Sequence, residues 1–211
     1  TDQTMATAAA ALEGMGIVSG TSETTFNPTG GLSRAQLCAM LVGAAGLSSQ
    51  VSTYARKTLF SDVSPSAWYN GYVNLAYSQG LVSGKGNGTF GPEEAVTYGE
   101  MATSLLRMLG YTSAQVGAVW PLDYTAYCDE LGLSEGLSLD AYDHLNRGQA
   151  AVLLYRAMKA PVSGSTQSYY ETIEGVSSVE EAILLDGNAS YGGSSGLLMA
   201  YVPADGGITY Y

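Results

Sequence analysis

Residues 80–100 read Gly-Leu-Val-Ser-Gly-Lys-Gly-Asn-Gly-Thr-Phe-Gly-Pro-Glu-Glu-Ala-Val-Thr-Tyr-Gly-Glu. The same frame stands 64 residues earlier, where Gly16-Ile-Val-Ser-Gly20, Thr25-Phe-Asn-Pro28 and Leu32-Ser-Arg-Ala-Gln36 align with it without a gap. A third, weaker copy reads Gly132-Leu-Ser-Glu-Gly136 and Leu145-Asn-Arg-Gly-Gln149, with a loop three residues shorter and no Phe-x-Pro element. Trp68 and Trp120 each precede the first Gly of their copy by 12 residues, whereas the first copy has Thr4 at that place. Self-similarity at a fixed spacing marks a repeat architecture, in which each unit buries its apolar face against its neighbours.

Each unit reads as helix, Gly-rich loop, helix. In the second, the first helix is expected over 67–79, with Tyr69, Tyr72, Val73 and Ala76 on one face and Gly80 as a left-handed stop. The second helix of each unit has a firmer start. Ser33 with Gln36, Thr97 with Glu100 and Asn146 with Gln149 each set a capping side chain three residues before Glu or Gln. Apolar stripes follow: Leu37, Met40, Leu41, Ala44; Met101, Leu105, Met108; Ala150, Leu153, Leu154, Ala157.

Working outward, the 211-residue chain carries 8 Lys+Arg against 19 Asp+Glu, a net charge of −11. Binding to nucleic acid phosphates needs clustered cations, so that class is excluded, and insertion into a membrane is excluded for want of an apolar run of about 18 residues. The single His144 and the two cysteines, Cys38 and Cys128, make no metal site, disulfide framework or catalytic triad. Both cysteines fall on helical stripes and read as buried free thiols. Gly84-Lys-Gly-Asn-Gly88 lacks the Gly-Lys-Ser/Thr ending of a phosphate loop and reads as a turn, with Lys85 a rim cation. No paired carboxylates or activated nucleophile stand out, so the expectation is a non-enzymatic module without cofactor or metal.

Taken together, Phe60-Ser-Asp62-Val63, Trp68, Gly80-Leu-Val-Ser-Gly84, Gly88-Thr-Phe90-Gly-Pro92 and Val96-Thr-Tyr-Gly-Glu100 resemble the S-layer homology domain. The resemblance covers about residues 5–160. It implies a pseudo-threefold bundle of three repeats: 1–47, truncated at its start; 59–111; and 119–160, degenerate. It also implies an exported bacterial cell-surface protein, its signal peptide removed, that is anchored non-covalently to the wall. The partner implied is a secondary cell-wall polysaccharide, acidic and often pyruvylated, held in grooves between repeats. The motif Arg, with neighbouring Trp and Asp, contributes to such grooves. Arg34 and Arg147 match that Arg, whereas Tyr98 replaces it in the second repeat. Degenerate repeats also fit a structural or protein-interaction unit packed against neighbouring surface-layer proteins.

The ligand-binding candidates are therefore Arg34, Arg147, Trp68, Trp120, Asp62 and Lys85, each with a bland counterpart. A cation at the first position of a helix opposes the helix dipole. Either an anion held by the Arg fork and free helix N–H groups, or a neighbouring carboxylate, would offset that. The Trp rings suit a sugar face or an anchor between repeats. Asp62 suits sugar hydroxyls or a cap on the turn at Ser64-Pro65. Beyond Ala160, residues 161–168 read as a linker. Short strands are expected at 182–186, 196–202 and 207–211, as a small β-rich segment or part of a larger domain, with Ser178–Glu181 a helix cap in the alternative.

Overall fold

A computed structural model describes residues 2–18, 26–173, 200–201 and 209–210, and over these the chain is mainly helical. The helices are α1 (Asp2–Gly14), α2 (Arg34–Ala44), α3 (Val51–Tyr54), α4 (Asn70–Ser78), α5 (Tyr98–Met108), α6 (Ser113–Val116), α7 (Leu122–Glu130) and α8 (Arg147–Lys159). Strands β1 (Ala200–Tyr201) and β2 (Thr209–Tyr210) pair antiparallel. The expected strand 182–186, most of the other two and the Ser178 cap lie outside the described residues.

The three long motif helices start where the sequence marks them. Ser33, Thr97 and Asn146 are extended N-caps, and each closes a reciprocal capping box with the Gln or Glu at the third helical position. Such caps each contribute about 1 kcal/mol. Gly80 turns into the left-handed region at φ 74°, as a C′ stop requires. One expected boundary moves. Ala67 donates to the Ser64 carbonyl in a turn, so α4 begins at Asn70 and Trp68 sits in the turn before it.

The residues just before the caps tie the repeats together. Val96 N donates to Leu32 O (3.0 Å), Leu32 N to Leu145 O (3.2 Å) and Leu145 N to Val96 O (2.9 Å), which closes a ring of three hydrogen bonds. Leu32, Val96 and Leu145 are buried, so the ring satisfies polar backbone groups inside the core. Single bridges pair Gly31 with Asn146, Ser33 with Ala95 and Thr97 with His144 around the same junction.

Helix pairing follows the same cyclic order. α4 packs on α2, α7 on α5 and α1 on α8. The first helix of each repeat thus lies against the second helix of the preceding one, and α1 closes the circle against the last. Leu12, Leu41, Leu105 and Leu153 are buried at these seams, each stabilising by about 1.5–3 kcal/mol relative to exposure. Cys38 and Cys128 are buried free thiols. Burial pushes both up, Cys38 to about 12 despite the Arg34 charge. After α8 the chain doubles back: Pro161 pairs with Ser168, and Tyr169 N donates to Ala160 O. A 3₁₀ turn at Tyr169–Thr172 then lies against α8.

Candidate functional site

Each motif helix meets the loop of a neighbouring repeat end-on. Arg34 N donates to Glu94 O and Ala35 N to Pro92 O, both at 2.9 Å. Arg147 N and Gly148 N do the same to Gly30 O and Pro28 O, and Tyr98 N and Gly99 N to Asp143 O and Ala141 O. The approach is close: a Cβ on Gly99 would lie 2.4 Å from Pro121 Cβ. The free helix N–H groups expected to receive an anion are therefore already taken. The first two go to loop carbonyls, and the third of α2, Gln36 N, goes to Ser33 Oγ.

Arg34 is buried at this junction. Its Nε donates to Phe90 O (3.0 Å), Nη2 to Ser83 O (2.7 Å) and Nη1 to Glu100 Oε1 (2.6 Å), and the guanidinium lies 4.6 Å over the Phe90 ring. Glu100 Oε2 accepts from Thr97 N, so the carboxylate serves both the cap of α5 and the guanidinium from α2. Of the five N–H donors that a guanidinium carries, three are used here. Arg34 is therefore a structural cation at the head of a groove, so its removal is costly. The bland role foreseen for it, a pair with a carboxylate, is present.

That groove encloses about 410 Å³. Arg34, Lys85, Arg107, Glu100, Trp120 and Tyr124 line it, bringing together elements of all three repeats. Arg107 Nη1 donates to Ser83 Oγ (2.9 Å) and Lys85 pairs with Glu94 at the rim. Trp120 hangs over the lip, 55% exposed, with its indole N–H on Thr103 Oγ1 at 3.0 Å. That bond fixes the ring and leaves its surface to solvent.

The other candidates are placed differently. Asp62 accepts from Phe90 N (2.8 Å) and Gly91 N (2.7 Å), so it braces the Phe-x-Pro loop of the groove from 28 residues away, in place of the nearby turn expected for it. Burial raises its carboxyl, but the Gly91 and Phe90 N–H bonds, with Lys85 nearby, outweigh it and hold the group below the usual carboxylate range. Arg147 repeats the Arg34 pose: Nε donates to Phe26 O at 3.0 Å and the guanidinium stands 4.7 Å over Phe26. Burial lowers its pKa and the Glu13 charge opposes this. Trp68 lines a separate recess with Tyr72. Arg34, Lys85 and Trp120 thus meet in one groove, while Arg147 and Trp68 lie elsewhere.

At the third junction Tyr98 takes the place of the Arg. It is buried and its hydroxyl donates to Asp129 Oδ1 at 2.8 Å, with Ser134 Oγ on the same oxygen. Burial pushes its phenol up. Counted back six residues from Leu32, Val96 and Leu145, the loops carry Phe26, Phe90 and Leu139. Arg and Phe occur together and are lost together, because the ring is the shelf on which the guanidinium stacks.

Sequence reasoning missed Glu100, Arg107 and Tyr124 as groove residues. Tyr72 and Tyr124 share the 52-residue offset of the two Trp, and Arg107 and Arg156 share the 49-residue offset of the caps, so the repeat register could have flagged them.

The S-layer homology domain family matches residues 1–38 and 59–102. A cell surface protein of Thermoanaerobacter kivui is 32% identical over 76% of this chain and 21% of its own length. A surface layer protein of Brevibacillus choshinensis is 32% identical over 60% of the chain and 11% of its own. An endoglucanase of a Bacillus species is 29% identical over 74% of the chain and 14% of its own. The chain thus spans about a fifth or less of these relatives' length.

Proposed function

Because residues 1–38 and 59–102 match the S-layer homology domain family, we propose that this chain is a non-covalent anchoring module of a cell-surface protein. It sits outside the cell, at the wall, and holds an anionic wall polysaccharide in the Arg34 groove. The relatives' names range from surface layer protein to endoglucanase, and each matches over a small share of its length. That pattern suits a binding module attached to varied partners, with no catalysis of its own. The ring of hydrogen bonds at Leu32, Val96 and Leu145 supports reading the bundle as pseudo-threefold, with repeats 1–47, 59–111 and 119–160.

The observation that carries the proposal is charge placement. Of the 8 cations in a chain of net charge −11, Arg34, Lys85 and Arg107 line one groove beside an exposed Trp. Both oxygens of the Glu100 carboxylate in that lining are occupied, by Arg34 and by the α5 cap. Long-range repulsion is overcome locally, where charge-assisted hydrogen bonds contribute about 1.5–3 kcal/mol each. Trp120 supplies the apolar wall for a sugar face, and a carboxylate-bearing sugar, such as a pyruvate ketal, supplies the anion. Asp62 is a brace of this groove and Arg147 holds the equivalent junction at Phe26.

A second role, as a structural or protein-interaction unit among neighbouring surface-layer proteins, is favoured by the plugged Tyr98 junction and by the internal bonds of Arg34. Co-sedimentation with purified wall sacculi, before and after the secondary polymer is stripped, separates the two. Anchoring expects binding that vanishes with the polymer and weakens with salt. Arg107→Ala should weaken it by roughly tenfold without unfolding. Equal binding to stripped sacculi would favour the protein-interaction role.

A further inference from the structure

The loop between Gly84 and Phe90 has a chemistry of its own. It carries Asn87-Gly88-Thr89, one of two Asn-Gly pairs in the chain; the other is Asn70-Gly71. In such a pair the backbone nitrogen of the Gly can attack the Asn side-chain carbonyl, because closure gives a five-membered ring and the Gly brings no side chain to block it. The two pairs are held in opposite ways. Asn87 is exposed, and Lys85 N donates to Thr89 O (2.9 Å), which closes the turn. Gly88 stands at φ 82°, and a Cβ there would meet nothing within 4 Å. Among the described residues Gly88 N donates no hydrogen bond, so the attacking nitrogen is not engaged elsewhere.

The side-chain carbonyl oxygen of Asn87, Oδ1, receives two donors, Thr89 N at 3.1 Å and Thr89 Oγ1 at 2.5 Å. Negative charge develops on that oxygen when a nucleophile adds to the carbon, so both donors stand where they stabilise it. Asn70 shows the contrary arrangement. It is 1% exposed, and its Nδ2 donates to Ala55 O (2.7 Å) and Lys57 O (3.4 Å). The nitrogen that would have to leave is thus tied to two carbonyls. Packing around the attacking residue is tight as well, since a Cβ on Gly71 would lie 2.5 Å from Val51 O.

We propose that Asn87 is a self-modification site, at which the folded chain converts its own amide into a carboxylate with Thr89 supplying the donors. Hydroxide removes the Gly88 amide proton, and the nitrogen forms a bond to Asn87 Cγ. The Cγ–Nδ2 bond then breaks, and Nδ2 takes a proton from water and leaves as ammonia. The product is a cyclic imide. Water adds to either of its two carbonyls and opens the ring, to aspartate or isoaspartate at position 87. In sum one water enters and one ammonia departs, with no oxidation or reduction. The new charge appears two residues from Lys85, at the rim of the Arg34 groove. Isoaspartate also lengthens the backbone by a methylene next to Gly88, whose carbonyl accepts from Ser61 N (3.0 Å) and Ser61 Oγ (3.3 Å). The groove of an aged chain is therefore less suited to an anion than that of a fresh one. That consequence rests on the anchoring reading above; the chemistry does not.

The full chain is incubated in neutral and in mildly alkaline buffer and sampled over time. Peptide mass mapping follows each Asn, and an isoaspartyl methyltransferase counts isoaspartate. Asn87 should convert at least about tenfold faster than Asn70. It should convert faster in the alkaline buffer, since the nucleophile is the deprotonated amide. Thr89→Val removes the hydroxyl donor and should slow Asn87 by about fivefold, whereas Thr89→Ser keeps the donor and should keep the parent rate. Circular dichroism checks each fold, and the ratio of Asn87 to Asn70 in the parent decides the case even where a variant fails to fold. An Asn87 that stays an amide, or converts no faster than Asn70, would overturn the proposal. So would a folded Thr89→Val chain that converts at the parent rate. Fresh and aged chains are then compared for co-sedimentation with wall sacculi, where the aged chain should bind about two- to threefold more weakly. Equal binding would strike the effect on the groove. If neither chain binds, the anchoring reading fails, while the mass map judges the modification on its own.

Discussion

Arg34 and Tyr98 occupy the same backbone position, the first residue of a capped helix whose amide donates to a neighbouring loop. One ends in a guanidinium stacked on Phe90 and opens into a groove of about 410 Å³. The other ends in a buried phenol bonded to Asp129. The scaffold therefore tolerates either a cation or a phenol at this position, with Phe90 under the cation in one case and Leu139 at the corresponding sequence position in the other. The Arg can be lost from one junction while the fold persists, because the ring, the caps and the amide bonds survive the change.

The sharpest test of the contrast is Arg34→Ala. Removing it strands Glu100 and frees the Phe90 and Ser83 carbonyls, so denaturant unfolding should show a loss of about 3–5 kcal/mol. A loss near zero would mean that Arg34 only awaits a ligand. Arg34→Lys keeps the charge but not the fork, and should lie between the variant and the parent, at about 1–3 kcal/mol.

Tyr98→Phe should cost less, about 1 kcal/mol, since Asp129 keeps Ser134 and the ring still fills the plug. Retained stability with a new polymer response at this junction would show that the hydroxyl alone closes it.

Acid distinguishes the two regions further. Asp62 braces the Arg34 groove, whereas the third repeat has Ala114 at that distance before its Trp. A folded pKa below the unfolded value, about 3.9, means that Asp62 contributes stability above that pH. The contribution is lost as pH falls through the lowered folded value. Asp62→Asn should lower stability at neutral pH and leave it little changed below the folded value, so the acid limb of a stability–pH curve flattens.

The smallest effect concerns the thiols behind the two positions, Cys38 on α2 and Cys128 on α7. Both are buried, and burial raises both pKa values, so neither should react with a thiol reagent in native buffer. In Arg34→Ala, Cys38 should label before Cys128. Labelling of both at once would mean that the two regions unfold as one.

Much of this arrangement was legible along the chain. Capping boxes and the Gly80 stop depend on three or four consecutive residues, so Ser33, Thr97 and Asn146 announced their helices. The family resemblance added the repeat boundaries and the Arg and Trp positions. The partner of Arg34 was less accessible, since Glu100 lies 66 residues away and its local job as a capping residue masks the second. Asp62 was misjudged for the same reason: a nearby Ser-Pro turn offered a local use, while its real donors are 28 residues on. Which helix packs on which was not legible at all, because every repeat presents the same apolar stripe and only the closed circle fixes the partner.

The closing contact of that circle joins α1 to α8. Of these two helices α1 is made first, and more than 130 residues separate it from α8. Until then its apolar face, Ala8, Ala11 and Leu12, has no seat. Contacts so distant in sequence form slowly, because their loop entropy comes due before their reward. The circle is therefore complete only once α8 has been made and seats α1.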